Sequence, residues 1–103
     1  MTVKASDLLQ EAKNRLIEDG WIQYHLHRQE GHCLTGALQE AAGRVEVDEY
    51  CDWVSANRIL TETIEANSRA ETIVGWNDHR IRTFDQVMEM LDKAILAAKE
   101  AEA

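Results

Sequence analysis

The chain has no proline among its 103 residues. The commonest helix breaker is therefore missing, which tips the balance toward an all-helical fold. No apolar run approaches the ~20 residues that cross a bilayer as a helix, so no membrane span is expected. The opening Met1-Thr2-Val3-Lys4-Ala5-Ser6 lacks the apolar stretch of a signal peptide, and a cytoplasmic location is expected. Cysteine is scarce. Cys33 and Cys51 are the only two, and in a reducing compartment they read as buried thiols. Basic residues are also few, with 11 Lys and Arg against 19 Asp and Glu, a net charge of −8. Binding to a phosphate backbone needs concentrated Lys and Arg, so direct contact with nucleic acid is not expected. There is no Walker loop, dinucleotide fingerprint, Gly-x-Ser-x-Gly elbow or His-Glu-x-x-His motif. The reading leans away from an enzyme without excluding one, and implies no cofactor.

What is present is helical periodicity. The length suits one domain, residues 1–103, with one core. Cys33, Leu34, Ala37, Leu38, Ala41 and Ala42 recur at helical spacing and form a wide stripe of mostly small residues. With Gly36 beside them, they predict a short central helix over 33–43 that neighbours approach closely. Gly43 fits a helix-ending position of positive φ. A first helix is expected over about 4–19, with Leu8, Leu9, Ala12, Leu16 and Ile17 on one face. Ser6 or Asp7 would cap it, and Gly20 would end it. A third helix is expected over 49–67, capped by Asp48, with Tyr50, Trp53, Val54, Leu60 and Ile64 on its buried stripe and Asn57 filling the missing step. A fourth is expected over 83–100. There Thr83 and Gln86 make a capping box, and Phe84, Val87, Met88, Leu91, Ala94, Ile95 and Ala98 form the stripe. The tail from Lys99 to Ala103 should fray.

Between the first two helices, residues 21–27 are rich in aromatic and β-branched types and read as extended. Arg28-Gln29-Glu30-Gly31 reads as a turn, so a hairpin and an irregular loop both fit. Thr72 to Asp78 reads as an extended piece or one helical turn. The expected fold is mostly α: a single small four-helix domain with a short hairpin or extended segment after the first helix. The three tryptophans should carry much of the core, since Trp→Ala at a buried site costs about 3–5 kcal/mol.

Three constellations have the residue types for chemistry. His25, His27, His32 and Cys33 are ordinary zinc ligands, although their spacing matches no standard zinc pattern. Cys33 or Cys51 with His32 or His79 would make a nucleophile pair. Both cysteines fall on buried stripes, where thiol reactivity drops. Trp76-Asn77-Asp78, with Trp21 and Gln23, could surround a polar ligand. The same Asn and Asp could equally fix a loop by bonding nearby backbone.

Taken together, Gly20-Trp21-x-Gln23, Cys33-x-x-Gly36-Ala37 and Trp76-Asn77-Asp78, with Arg82-Thr83 and a Val87-x-x-x-Leu91-Asp92 helix, resemble a family of small uncharacterised actinobacterial and actinobacteriophage proteins. The likeness runs from about Leu8 to Ala98. The family carries no established activity, so the resemblance implies no reaction. His25, His27 and His32 lie outside its pattern. The chain is also short between the central and third helices, so a partner site carried there by longer relatives would be absent.

The resulting expectation is a non-enzymatic interaction protein of actinophage or actinobacterial origin. It would bind a host protein, or a second copy of itself, through a helical face or the Trp-bearing loops. One alternative is a small-ligand or metal-binding domain, enzymatic or not, built around Trp21, Gln23, Asn77 and Asp78. A further alternative rests on the acids of residues 44–71, where seven stand against three Arg: Glu46, Asp48, Glu49, Asp52, Glu62, Glu65 and Glu71. Such a surface could act as a decoy for a nucleic-acid-binding protein.

Overall fold

Apolar stripes and end signals divide the chain into five helices and four two-residue strands among residues 2–45 and 50–103, the part described by the computed structural model. In chain order these are β1 (Thr2–Val3), α1 (Ala5–Asp19), β2 (His27–Arg28), β3 (Gly31–His32), α2 (Leu34–Gly43), β4 (Tyr50–Cys51), α3 (Trp53–Asn67), α4 (Ile73–Asn77) and α5 (Phe84–Glu102). The mostly helical class is observed, but with five helices rather than four. The extra one is α4. Its start is stabilised by the Thr72 hydroxyl, which accepts the Gly75 N–H at 2.9 Å. β1 pairs in parallel with β4, and β2 pairs antiparallel with β3 as a tight hairpin.

One apolar cluster joins the helices. Leu8, Leu9 and Leu16 of α1 meet Leu34, Ala37 and Leu38 of α2, together with Leu60 and Ile64 of α3 and Leu91 and Ala94 of α5. α1 lies against both α2 and α5, and α5 lies against α3. The small-residue stripe on α2 lets α1 sit close over it. No helix among the described residues is long and apolar enough to cross a membrane.

Several expected details change. Ile17, Val54 and Phe84 were placed on buried stripes but are 58%, 75% and 37% exposed. Each sits near a helix end, at the edge of its stripe. Met90 joins the buried face of α5, while Met88 is only half-buried. α3 begins at Trp53, not 49, and its cap is the Asp52 carboxylate, which accepts the Ser55 N–H at 3.3 Å. The expected cap Asp48 and the acids Glu46 and Glu49 lie outside the described residues, as do the side chains of Tyr50 and Cys51. Gly43 stays inside α2, which ends at Arg44 with φ of −89°. Gly20 does end α1 at φ of 101°, its N–H donating to the Leu16 carbonyl at 3.0 Å.

The two ends of the chain meet. Neither Ser6 nor Asp7 occupies the cap position of α1, which falls on Lys4. Asp7 accepts the Lys4 N–H at 3.2 Å. Glu102, from the last turn of α5, accepts the Ser6 N–H at 3.1 Å and its hydroxyl at 2.6 Å. The tail therefore does not fray at Lys99. It continues as helix and brings a carboxylate to the positive end of α1. Glu102→Ala should cost about 1 kcal/mol and lower the melting temperature by about 5 °C. A thermal melt unchanged from wild type would refute this cap.

Candidate functional site

Gly20 and Gly31 bring two backbones together. Each has positive φ, and a side chain on either would strike the carbonyl region of the other segment. The His32 N–H donates to the Gly20 carbonyl, and the Ile22 N–H donates to the His32 carbonyl, both at 3.0 Å. The Trp21 loop is thereby laid beside β3, just before α2 begins. On the far side of the sequence, α4 ends at Asn77 and projects the same loop's partners inward.

Asn77 is fully buried, at 0% exposure. Its Oδ1 accepts the Trp21 indole Nε1–H at 2.7 Å and the Leu34 backbone N–H at 3.1 Å. Its Nδ2 donates to the Ile22 carbonyl at 3.2 Å and to Asp78 Oδ1 at 2.9 Å. Gln23 Nε2 donates to the carbonyls of Asn77 and His79, at 3.0 and 2.8 Å. Asp78 Oδ1 also accepts the Tyr24 N–H at 2.9 Å, which holds Tyr24 at φ of 71°, an uncommon value for a side chain of its size. Trp76 is 3% exposed. The Arg82 guanidinium lies 4.0 Å above its ring, with Nε donating to the Trp76 carbonyl at 2.9 Å. Partial burial lowers the Arg82 side chain from its ordinary pKa, and it remains charged at neutral pH.

Trp21, Gln23, Asn77 and Asp78 thus meet in one network around the start of α2, and the buried Trp76 ring, next to Asn77 in the chain, packs into the core. Their polar atoms point at one another and at backbone, and the two ends of the Asn77 amide are both engaged. The space beside Gly36 is filled by the chain that leads into the β2–β3 hairpin. There the Leu26 carbonyl and the His27 ring pack against the helix backbone.

The histidines separate. His25 is exposed and lies outside the hairpin strands, so it does not share a strand face with His27. His27 and His32 stand opposite each other in β2 and β3, with their Nδ1 atoms 2.8 Å apart. His32 Nε2 lies 2.9 Å from Asp19 Oδ2. With His32 neutral, Nε2–H donates to Asp19, and His32 Nδ1 accepts from the His27 Nδ1–H. This Asp19 partner was not flagged from the sequence. The only available hint was its position at the end of α1, next to the loop that returns to the hairpin. Cys33 Sγ is buried and accepts the Gly36 N–H at 3.4 Å as the cap of α2. Among the described residues, no group of three or more His, Cys, Asp or Glu is placed to hold a metal.

The sequence matches, over residues 1–97, the family described as "Family of unknown function (DUF6197)". The chain belongs to this family. The match takes in every residue of the Asn77 network and all of α5 except residues 98–102. No curated protein and no solved structure matches the chain.

Two outcomes test the site. Asn77→Ala strands the Trp21 indole N–H and the Leu34 N–H without an acceptor and should cost about 3–5 kcal/mol. Urea unfolding measures it, and a loss below about 1 kcal/mol would contradict the network. The hydrogen bond from His32, helped by the charge interaction with the same imidazole and less by Arg15 and Arg44, holds the Asp19 carboxyl below its ordinary range, although burial pulls the other way. The stabilisation from Asp19 is therefore full above that range and is lost as pH falls through the lower folded value. The stability gap between wild type and Asp19→Asn should be widest near about pH 7 and close toward about pH 3. A gap that does not change with pH would count against the pair.

Proposed function

We propose that this family member is a non-enzymatic interaction protein that binds another protein through the face where α1, the Trp21 loop and α5 meet. One observation carries the reading. Ile17 and Phe84, both expected in the core, stand at the surface beside the half-buried Trp21. With Leu16 and Gly20 they line an open depression of about 280 Å³. A cluster of large apolar side chains left facing water at a helix-loop junction is the usual signature of a protein contact. The engagement of Asn77 and Asp78 in internal bonds weighs against the alternative of a ligand pocket around Trp21, Gln23, Asn77 and Asp78. From the motif resemblance we further infer an actinobacterial or actinophage source, a cytoplasmic setting, and a host protein or a second copy as the partner.

Ile17→Asp should leave the fold intact, because its side chain is mostly exposed and such substitutions usually change stability by about 0.5 kcal/mol or less. Wild-type protein is expected either to sediment as a dimer or to retain one stoichiometric partner from an actinobacterial lysate, and Ile17→Asp should lose that association. A monomer with no partner, or an association that Ile17→Asp does not weaken, would refute the proposed face.

A further inference from the structure

Four of the 11 Lys and Arg side chains, Lys13, Arg15, Arg44 and Arg58, form ion pairs with carboxylates among the described residues. Arg28, Arg69, Arg80 and Arg82 do not, among the described residues, although the chain carries 19 acids. Two of these four, Arg69 and Arg82, line the same open depression of about 450 Å³. That volume lies within the range of small-ligand sites, about 300–1,000 Å³. His79 shares the lining, Ile81 and the edge of Trp76 supply apolar wall, and Glu71 is the one carboxylate there. Arg82 is already held in place. Its Nε donates to the Trp76 carbonyl, its Nη1 donates to Gln86 Oε1 at 3.2 Å, and its guanidinium carbon lies over the indole ring. Its Nη2 has no protein acceptor among the described residues.

We infer that this depression is a binding site for a small carboxylate with a flat apolar body, clasped between Arg69 and Arg82 and seated against Ile81 and Trp76. A guanidinium presents its donors in a planar fork that matches a carboxylate, and a fork fixed beforehand loses little freedom on binding. Two arginines against one carboxylate leave the lining with one net positive charge when His79 is neutral, which balances a single negative charge. A phosphate dianion would meet Glu71 with its second charge. The site is separate from the apolar face of Ile17 and Phe84 and does not rest on that reading.

Benzoate is the probe. It is titrated at constant ionic strength into the ¹⁵N-labelled full chain, with benzamide as the neutral isostere and inorganic phosphate as the competing anion. Saturable shifts are expected at the Trp76 indole N–H, the Gly75 amide and Arg82 Nε–H, with Kd on the order of 1 mM. Benzamide should bind at least about tenfold more weakly, and Arg69→Gln should weaken benzoate about fivefold. Arg80→Gln, outside the depression, should change it less than about twofold. Both arginines are exposed, and the amide spectrum of each variant shows directly whether it has folded. Equal binding of benzamide, tighter binding of phosphate at the same residues, an unaltered affinity in Arg69→Gln, or shifts no larger than chloride produces would each overturn the assignment.

Discussion

A carboxamide taken out of water needs partners for an acceptor with two lone pairs and for two donors, and each unmet need costs on the order of 1–3 kcal/mol. Asn77 is taken fully out of water and meets that need with groups drawn from three separate parts of the chain. Trp21 and Ile22 come from the loop after α1, Leu34 from the first residue of α2, and Asp78 from its own loop. Beside this amide, the Trp21 loop is held by the Gln23 side chain on the Asn77 and His79 carbonyls, by the Tyr24 N–H on Asp78 and by a few backbone bonds to the hairpin. The Leu34 N–H is one of the donors that a helix start leaves without an internal partner, so Asn77 also helps to cap α2. Cys33 Sγ caps the same turn more weakly, as sulfur is a poor acceptor.

Other features follow from that anchor. Fixing Asn77 fixes the end of α4 and hence the Trp76 carbonyl, to which Arg82 is bonded. Arg82 directly precedes the Thr83–Gln86 capping box, so the start of α5 inherits its position from the same node. At its other end α5 returns to α1 through Glu102 and Ser6. The helices are therefore tied by polar contacts at both ends of a core that is apolar throughout its middle. The two surface features singled out for binding lie beside these ties: apolar side chains at Ile17 and Phe84, and the cations Arg69 and Arg82, the second with its Nη2 left free of protein acceptors among the described residues.

Much of the helical pattern was legible because it is local. The Leu8-Leu9-Ala12-Leu16 spacing, Gly20 as a stop and the Thr83–Gln86 box are all readable within a turn or two, and all appear in the structure. The places where the reading failed share a cause. Periodicity assigns a side chain to a face but does not say how far the neighbouring helix extends, so Ile17, Val54 and Phe84 were placed in the core. The cap of α1 comes from a residue 96 positions away, and no local pattern points to it. Within the candidate site, the residue types that meet around Asn77 were picked out by their combination of aromatic, amide and acid in turn-rich loops. Their arrangement was not legible. Whether an Asn bonds its own backbone or reaches across the fold is decided by tertiary packing, as is the pairing of His32 with Asp19.

The claim that the Asn77 amide holds both loops to α2 is tested most directly by native-state hydrogen exchange at its two donors. The Trp21 indole N–H and the Leu34 amide should exchange only when the whole domain unfolds, with the same free energy as the slowest core amides of α1 and α5. Exchange of either proton through a local opening well below that free energy would show that the amide does not secure the two segments.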